Sequence, residues 1–129
     1  MKNSEAGLEL LLYDEKAELS KVATRLKEFF MIADDGTVLL KKVYPQGMGR
    51  LLVYMIGRVA AKIMGRVSES SFTLGELTLL TGLRGDQLEQ LLAANPYIVY
   101  VGHGRYRLNT LYLSKILDEL QKLYITEQE

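Results

Sequence analysis

Few residues of this chain combine a type and a spacing that catalysis would need. Its only histidine, His103, lies between two glycines, with no carboxylate beside it in the sequence. A general base needs a positioned partner, and a zinc ion needs several ligands, whereas the chain contains no cysteine. Asp34 and Asp35 could suggest a metal, but Asp-Asp-Gly is ordinary turn chemistry. We therefore expect no enzyme activity, no metal site and no cofactor.

The other residues with chemical potential are ones that bind. Gly47-Met48-Gly49-Arg50 lacks the lysine of a Walker loop and the glycine spacing of a dinucleotide fold. The stretch YIVYVGHGRYRLN (97–109) is more informative, because two β-prone runs flank a Gly-His-Gly turn. Strand alternation places Tyr106 and Leu108 on one face and both flanking arginines on the other. The sequence thus predicts a hairpin with an apolar inner face and a basic outer face.

Composition limits the kinds of partner that such a hairpin could meet. The 129 residues fit one domain, and 48% of them are hydrophobic, which is enough for a core. Sixteen basic residues balance sixteen acidic ones, so no overall field attracts nucleic acid or an anionic membrane. Residues 49–71 carry four basic side chains and one acidic one, so positive charge is concentrated there. No signal peptide is recognisable at the N-terminus, and we expect a cytoplasmic location, nucleoid-associated if the protein binds DNA.

The elements before the hairpin follow from periodicity and turn residues. Apolar residues spaced three and four apart predict one helix over 14–30, capped by Asp14. A β-hairpin is expected around Gly36, while residues 8–13 could be a strand or the last turns of a helix. The clearest break in the chain is Val43-Tyr44-Pro45-Gln46-Gly47.

A long apolar helix is predicted after this break, over MGRLLVYMIGRVAAKIMGRV. A membrane span needs about 20 apolar residues, but Arg58 and Lys62 interrupt this run, so we expect a buried amphipathic helix and no membrane contact. Gly57 costs roughly 1 kcal/mol of helix propensity relative to alanine, which indicates close packing by a neighbour. That neighbour could belong to the core or to a second chain.

Two short helices and then the hairpin follow. Thr73 and Glu76 fit a capping box, and Asp86 with Glu89 offers a second helix start. Asn95-Pro96 ends the second helix. Beyond the hairpin, a final helix places apolar side chains on one face, which makes it a candidate for homodimerisation through 111–125. The residues predicted for this dimer interface are Leu113, Ile116, Leu117, Leu120, Leu123 and Tyr124.

This order of elements, carried by FTLGELTLLTGLRGDQLEQLLAANPYIVYVGHGRYRLN, resembles the winged helix-turn-helix superfamily. The resemblance covers residues 48–110 and implies an α+β, helix-rich fold with an N-terminal helix–hairpin segment and a C-terminal helix. The expected division is 1–46, 47–110 and 111–129. Because residues 25–44 echo residues 90–112, the first segment could be a partial second winged-helix unit.

The resemblance implies that the second short helix enters the major groove of DNA while the hairpin contacts the backbone. Glutamine can read adenine edges. The residues expected at the DNA are Gln87 and Gln90 at base edges; Arg84, His103, Arg105 and Arg107 at the backbone; and Lys62 and Arg66 at further phosphates. The leading expectation is a double-stranded DNA-binding transcription regulator. The alternative is a module for protein–protein interaction or assembly, which the neutral charge and the acidic Asp86 and Glu89 also fit.

Overall fold

The computed structural model describes residues 7–42 and 47–128, with side chains described up to residue 123. Over this range the protein is an α+β structure in which helices predominate and the strands form small antiparallel sheets. The helices are α1 (Glu15–Lys21), α2 (Ala23–Leu26), α3 (Met48–Ile63), α4 (Leu74–Thr81), α5 (Gly85–Ala94) and α6 (Leu113–Gln128). The strands are β1 (Phe30–Ile32), β2 (Val38–Leu40), β3 (Phe72–Thr73), β4 (Ile98–Gly102) and β5 (Arg105–Leu108). Short 3-10 turns at Glu9–Leu11 and Thr110–Tyr112 precede α1 and α6.

The strands make two separate antiparallel sheets. Strands β1 and β2 pair as a hairpin, with Gly36 at a φ of 92° in its turn, as the sequence predicts. The other sheet has the order β3-β5-β4, so β5 is central and both β3 and β4 are edge strands. Phe72 of β3 lies opposite Tyr106, and Ile98 of β4 lies opposite Leu108.

Local capping signals explain where most helices begin and end. Asp14 caps α1 by accepting a hydrogen bond from the backbone N–H of Ala17, as expected. The capping box of Thr73 and Glu76 is also confirmed at the start of α4. Gly82 ends that helix in the left-handed conformation, with a φ of 78°.

Two helix boundaries differ from the sequence prediction. The single helix expected over 14–30 is interrupted at Val22, whose φ of −113° is not helical, and α2 ends at Leu26. Phe30 belongs to strand β1 instead and pairs with Leu40 of β2. The backbone groups of this part of the chain thus form hydrogen bonds across the hairpin rather than along a helix. The N-cap of the second short helix, α5, was predicted at Asp86, and this was wrong by two residues. Arg84 occupies the N-cap position without a side-chain hydrogen bond, and Asp86 lies in the first turn.

Helix α3 lies at the centre of the hydrophobic core, and its residues Leu51, Met55 and Ile56 are completely buried. The interruption by Arg58 and Lys62 therefore marks an amphipathic helix, as predicted. None of the helices in residues 7–42 and 47–128 combines the length and hydropathy of a membrane crossing. At Gly57 the close neighbour belongs to the core: a Cβ there would lie 2.5 Å from Cγ1 of Val38.

Helix α6 packs its apolar face into this same core. The side chains that we expected at a dimer interface are buried within their own chain, at 0–4% exposure: Leu113, Ile116, Leu117 and Leu120. They are already covered, so they do not form a free surface for a second copy. Leu123 is partly exposed, and the side chain of Tyr124 lies outside the described part of the chain. Homodimerisation itself stays a prediction.

Candidate macromolecular interface

Helix α5 exposes the polar residues that the sequence singles out. Leu88 and Leu92 anchor the helix in the core, which turns Gln87, Gln90 and the preceding Arg84 to the solvent. Asp86 and Glu89 are exposed on the same short helix. This surface therefore carries one basic and two acidic side chains around its two glutamines.

Lys62 and Arg66 are also exposed, but Arg66 belongs to another part of the molecule. The carbonyl oxygen of Arg66 lies 3.0 Å from the position that a Cβ on Gly36 would take. The backbone of Arg66 thus packs against the turn of the β1–β2 hairpin.

The β4–β5 hairpin has the inner face that alternation predicts. Leu108 is fully buried, and Tyr106 packs against the core with its ring centroid 5.1 Å from that of Tyr100. At the tip, Gly102, His103 and Gly104 all have positive φ angles, of 91°, 54° and 70°. Glycine accepts this conformation readily, and an exposed histidine tolerates it more easily than most residues. The position of His103 is therefore explained by turn geometry.

Arg105 has a structural role. Its Nε donates to Oγ of Ser71 (2.7 Å) and its Nη2 donates to the carbonyl of Ser71 (3.0 Å). The same Nη2 lies 3.7 Å from Oε1 of Glu76. With only 28% of its side chain exposed, Arg105 links β5 to the chain before β3 and to the start of α4.

Arg107 is held in the same way on the other side of Tyr106. It forms an ion pair with the carboxylate of Glu15 and donates to Oγ of Ser70 (3.2 Å) and to the carbonyl of Leu108 (3.0 Å). Its side chain is 26% exposed, and the Glu15 carboxylate also accepts from the hydroxyl of Thr110. Each arginine is thus engaged with polar partners distant in sequence, and contact of either one with a DNA backbone stays a prediction.

Glu76 connects the hairpin to the long helix. Its carboxylate accepts from Nη2 of Arg58 (2.9 Å) and from the backbone N–H of Thr73 (3.0 Å). Partial burial is the largest single influence and disfavours the charged form, but the hydrogen bonds from Thr73 and Arg58, with the charge of Arg58, outweigh it. The pKa of Glu76 is therefore lowered below its ordinary value of 4.5. The Arg58 guanidinium also lies over the ring of Phe72, 4.0 Å from its centroid.

Strand β4 carries a surface that the sequence analysis missed. Three consecutive side chains are exposed there: Val99 (38%), Tyr100 (57%) and Val101 (46%). Leu111 and Tyr112, just after the hairpin, are exposed as well. The available signal was the unbroken apolar run IVYV, which does not alternate as a strand with one buried face does.

Residues 7–42 and 47–128 contain no cluster of three or more histidine, aspartate or glutamate side chains that could hold a metal ion. Comparisons of the chain with protein families, with curated protein sequences and with solved structures give no significant match.

Proposed function

We propose that residues 48–110 form a winged helix-turn-helix module. The order α3, β3, α4, α5, β4, β5 and the strand order β3-β5-β4 support this proposal. So does the turn between α4 and α5, where Gly82 adopts the left-handed conformation. Modules of this fold carry many functions, so the exposed surface, and not the fold, determines the partner.

We infer that the partner is another protein, bound at the edge of the sheet. The observation that carries this inference is the combination of an apolar, exposed edge strand β4 with hairpin arginines that are engaged inside the fold. An edge strand presents unpaired backbone N–H and C=O groups, to which an extended peptide can add as a further strand. Because successive side chains of a strand point to opposite faces, Val99 and Val101 would contact side chains on one face of that peptide, and Tyr100 would contact those on the other face. The expected partner segment is extended, uncharged and rich in β-branched or aromatic residues.

Double-stranded DNA is the second candidate, and a specific observation favours it. Gln87 and Gln90 are exposed on α5 with Arg84 at its N-terminus, the position from which a helix-turn-helix reads the major groove. The charge of the surface argues in the other direction. With Arg105 and Arg107 paired to carboxylates, the exposed acids Asp86 and Glu89 would face phosphates with little compensation.

One pair of selections distinguishes the two candidates. The unaltered protein is presented with a library of random peptides and, separately, with a library of random duplex DNA at low salt. Our proposal expects enrichment of peptides with alternating apolar residues, and loss of their binding in Tyr100→Glu. Leu79→Glu is the control, because Leu79 is also an exposed apolar residue but lies on α4. N-methylation of alternate peptide amides should also abolish binding, because strand addition depends on the backbone.

A DNA partner would give a different and equally clear result. Enrichment of one duplex sequence, lost in a Gln87→Ala, Gln90→Ala variant and retained in Tyr100→Glu, would replace the protein partner by DNA. In that case the logarithm of affinity should fall with the logarithm of salt by roughly 0.9 per phosphate contact. Arg84→Ala should then flatten that slope by about one contact.

A further inference from the structure

Two apolar features of the molecule lie outside strand β4 and helix α5. One is an open groove of about 560 Å³ between α1, α2, β1 and the end of α3. Leu26, Phe30 and Ile63 contribute to its apolar wall, while Lys16 and Lys27 stand at its edge. Its volume is in the range of sites that bind small molecules or side chains of a partner.

The other feature is the leucine segment, residues 8–12 (LELLL). Its four leucines are between 61% and 89% exposed, around the 3-10 turn Glu9–Leu11. Single exposed leucines are common on protein surfaces, whereas a contiguous group indicates an interaction site. Since these side chains are exposed, the segment does not lie in the groove of its own chain.

The contacts that anchor the leucine segment involve none of the residues that line the groove. The hydroxyl of Tyr13, directly after the segment, donates to the carbonyl of Thr110 (2.9 Å). Tyr13 lines a smaller cavity with Arg107 and Leu111, and this cavity shares no residue with the groove. Folding the segment back into its own groove would have to reverse the chain between this anchor and α1, which begins at Glu15.

The two features are complementary in charge and in apolar character. Glu9 is the charged residue of the leucine segment, and Lys16 and Lys27 at the groove form no ion pair within the described residues. Leucine side chains suit the apolar wall of the groove, and Glu9 suits its basic edge. A surface and its complement on one chain allow two copies to satisfy each other reciprocally about a two-fold axis.

We propose that the protein forms a homodimer in which the leucine segment of each chain lies in the groove of the other. This interface replaces the one predicted on α6, whose residues Leu113, Leu117 and Leu120 are covered by their own core. Neither the segment nor the groove includes a residue of β4 or α5, although Tyr13, directly after the segment, lines the smaller cavity together with Val99 of β4. The groove is then a site for a second copy of this chain.

The chain contains no cysteine, so a disulfide can report this contact specifically. Leu11→Cys and Ala23→Cys proteins, purified separately, are mixed under oxidising conditions; Ala23 lines the groove. The proposal expects a disulfide-linked product of the two different chains, in excess over either single variant alone. Leu11→Cys mixed with Leu79→Cys is the matched control and should give no such excess.

Sedimentation velocity and the apolar dye ANS complete the test with the full chain. Leu11→Glu should raise the dissociation constant of the dimer at least about tenfold, and it should increase ANS fluorescence because the groove becomes accessible. Far-UV circular dichroism checks that this exposed substitution leaves the fold intact. A chain that is monomeric at all concentrations, or a dimer that Leu11→Glu leaves unchanged, would overturn the proposal. Equal ANS fluorescence of both proteins would also contradict the proposal, because the groove would then be equally accessible with and without the leucine at position 11.

Discussion

Replacing Arg107 by alanine tests most directly whether the basic face of the hairpin belongs to the fold or to a ligand. In the structure its guanidinium pairs with Glu15 and bonds to Ser70 and to the carbonyl of Leu108. A hydrogen bond to a charged group contributes about 1.5–3 kcal/mol, and removing one partner also leaves the other unsatisfied. Because both side chains are only about a quarter exposed, at 26% and 23%, screening by solvent is incomplete. We expect Arg107→Ala to lower the free energy of unfolding by about 2–3 kcal/mol.

The assay is urea unfolding followed by circular dichroism, with the midpoint and the slope fitted separately. A lower midpoint at an unchanged slope reports lost stability without a change in the unfolded state. A double-mutant cycle with Glu15→Ala should give a coupling of about 1–2 kcal/mol, because the two groups form one pair. Arg107→Lys should recover part of the loss, since lysine keeps the charge but lacks the planar fork.

Arg84→Ala is the control, because Arg84 is exposed at the start of α5 and makes no side-chain cap. We expect its effect on stability to stay within about 0.5 kcal/mol. If Arg107→Ala also stayed within that range, the guanidinium would be free in solution. The structural role given to it here would then be refuted, and the case for DNA would gain a basic residue.

Two further predictions concern packing and pH. Gly57→Ala should lower the free energy of unfolding by about 1–2 kcal/mol in urea unfolding, because the new Cβ would lie 2.5 Å and 2.6 Å from the methyl groups of Val38. Gly75→Ala, where a Cβ would make only an ordinary contact 3.9 Å from Oγ1 of Thr73, should stabilise by about 0.5–1 kcal/mol. Val38→Ala removes both methyl groups and leaves only its own Cβ, 3.1 Å from the new Cβ, so it should reduce the loss caused by Gly57→Ala; an unchanged loss in that background would contradict this explanation. Since the pKa of Glu76 is lowered in the folded state, its contribution to stability is present above pH 4.5 and is lost as the pH falls through that lowered pKa. Urea unfolding at stepped pH should show a smaller acid-induced loss for Glu76→Gln than for the unaltered protein, and equal losses would contradict the role given to Glu76.

The success of sequence reasoning depended on how far apart the interacting residues are. The cap at Asp14 and the box formed by Thr73 and Glu76 join residues three apart, so the pattern contains the whole interaction. Arg107 and Glu15 are 92 positions apart, and no local signal pairs them. Alternation correctly placed the arginines on the face away from Leu108, but it could not say what that face meets.

The leucine stripe of α6 shows a second limit of the same kind. Leucines that recur every three or four residues indicate that one helical face is buried, and the structure confirms that it is. The pattern is identical whether the covering surface comes from the same chain or from a second one. In the structure Ile116 and Leu117 belong to the same core as α3, so the covering surface comes from the same chain. That arrangement depends on the tertiary fold and is not encoded in the spacing of the leucines.

The internal use of Arg105 and Arg107 affects both proposed functions, in opposite directions. Both arginines fix β5 to the segment before β3, Arg105 through Ser71 and Arg107 through Ser70. Each also pairs with a carboxylate from another element, Arg105 with Glu76 and Arg107 with Glu15. For a DNA-binding hairpin this removes the two nearest cations from the contact. For strand addition it is favourable, because a hairpin that is already ordered has little conformational entropy left to lose when a peptide pairs with β4. Arg107→Ala should therefore weaken peptide binding by loosening β4, although Arg107 itself would not touch the peptide.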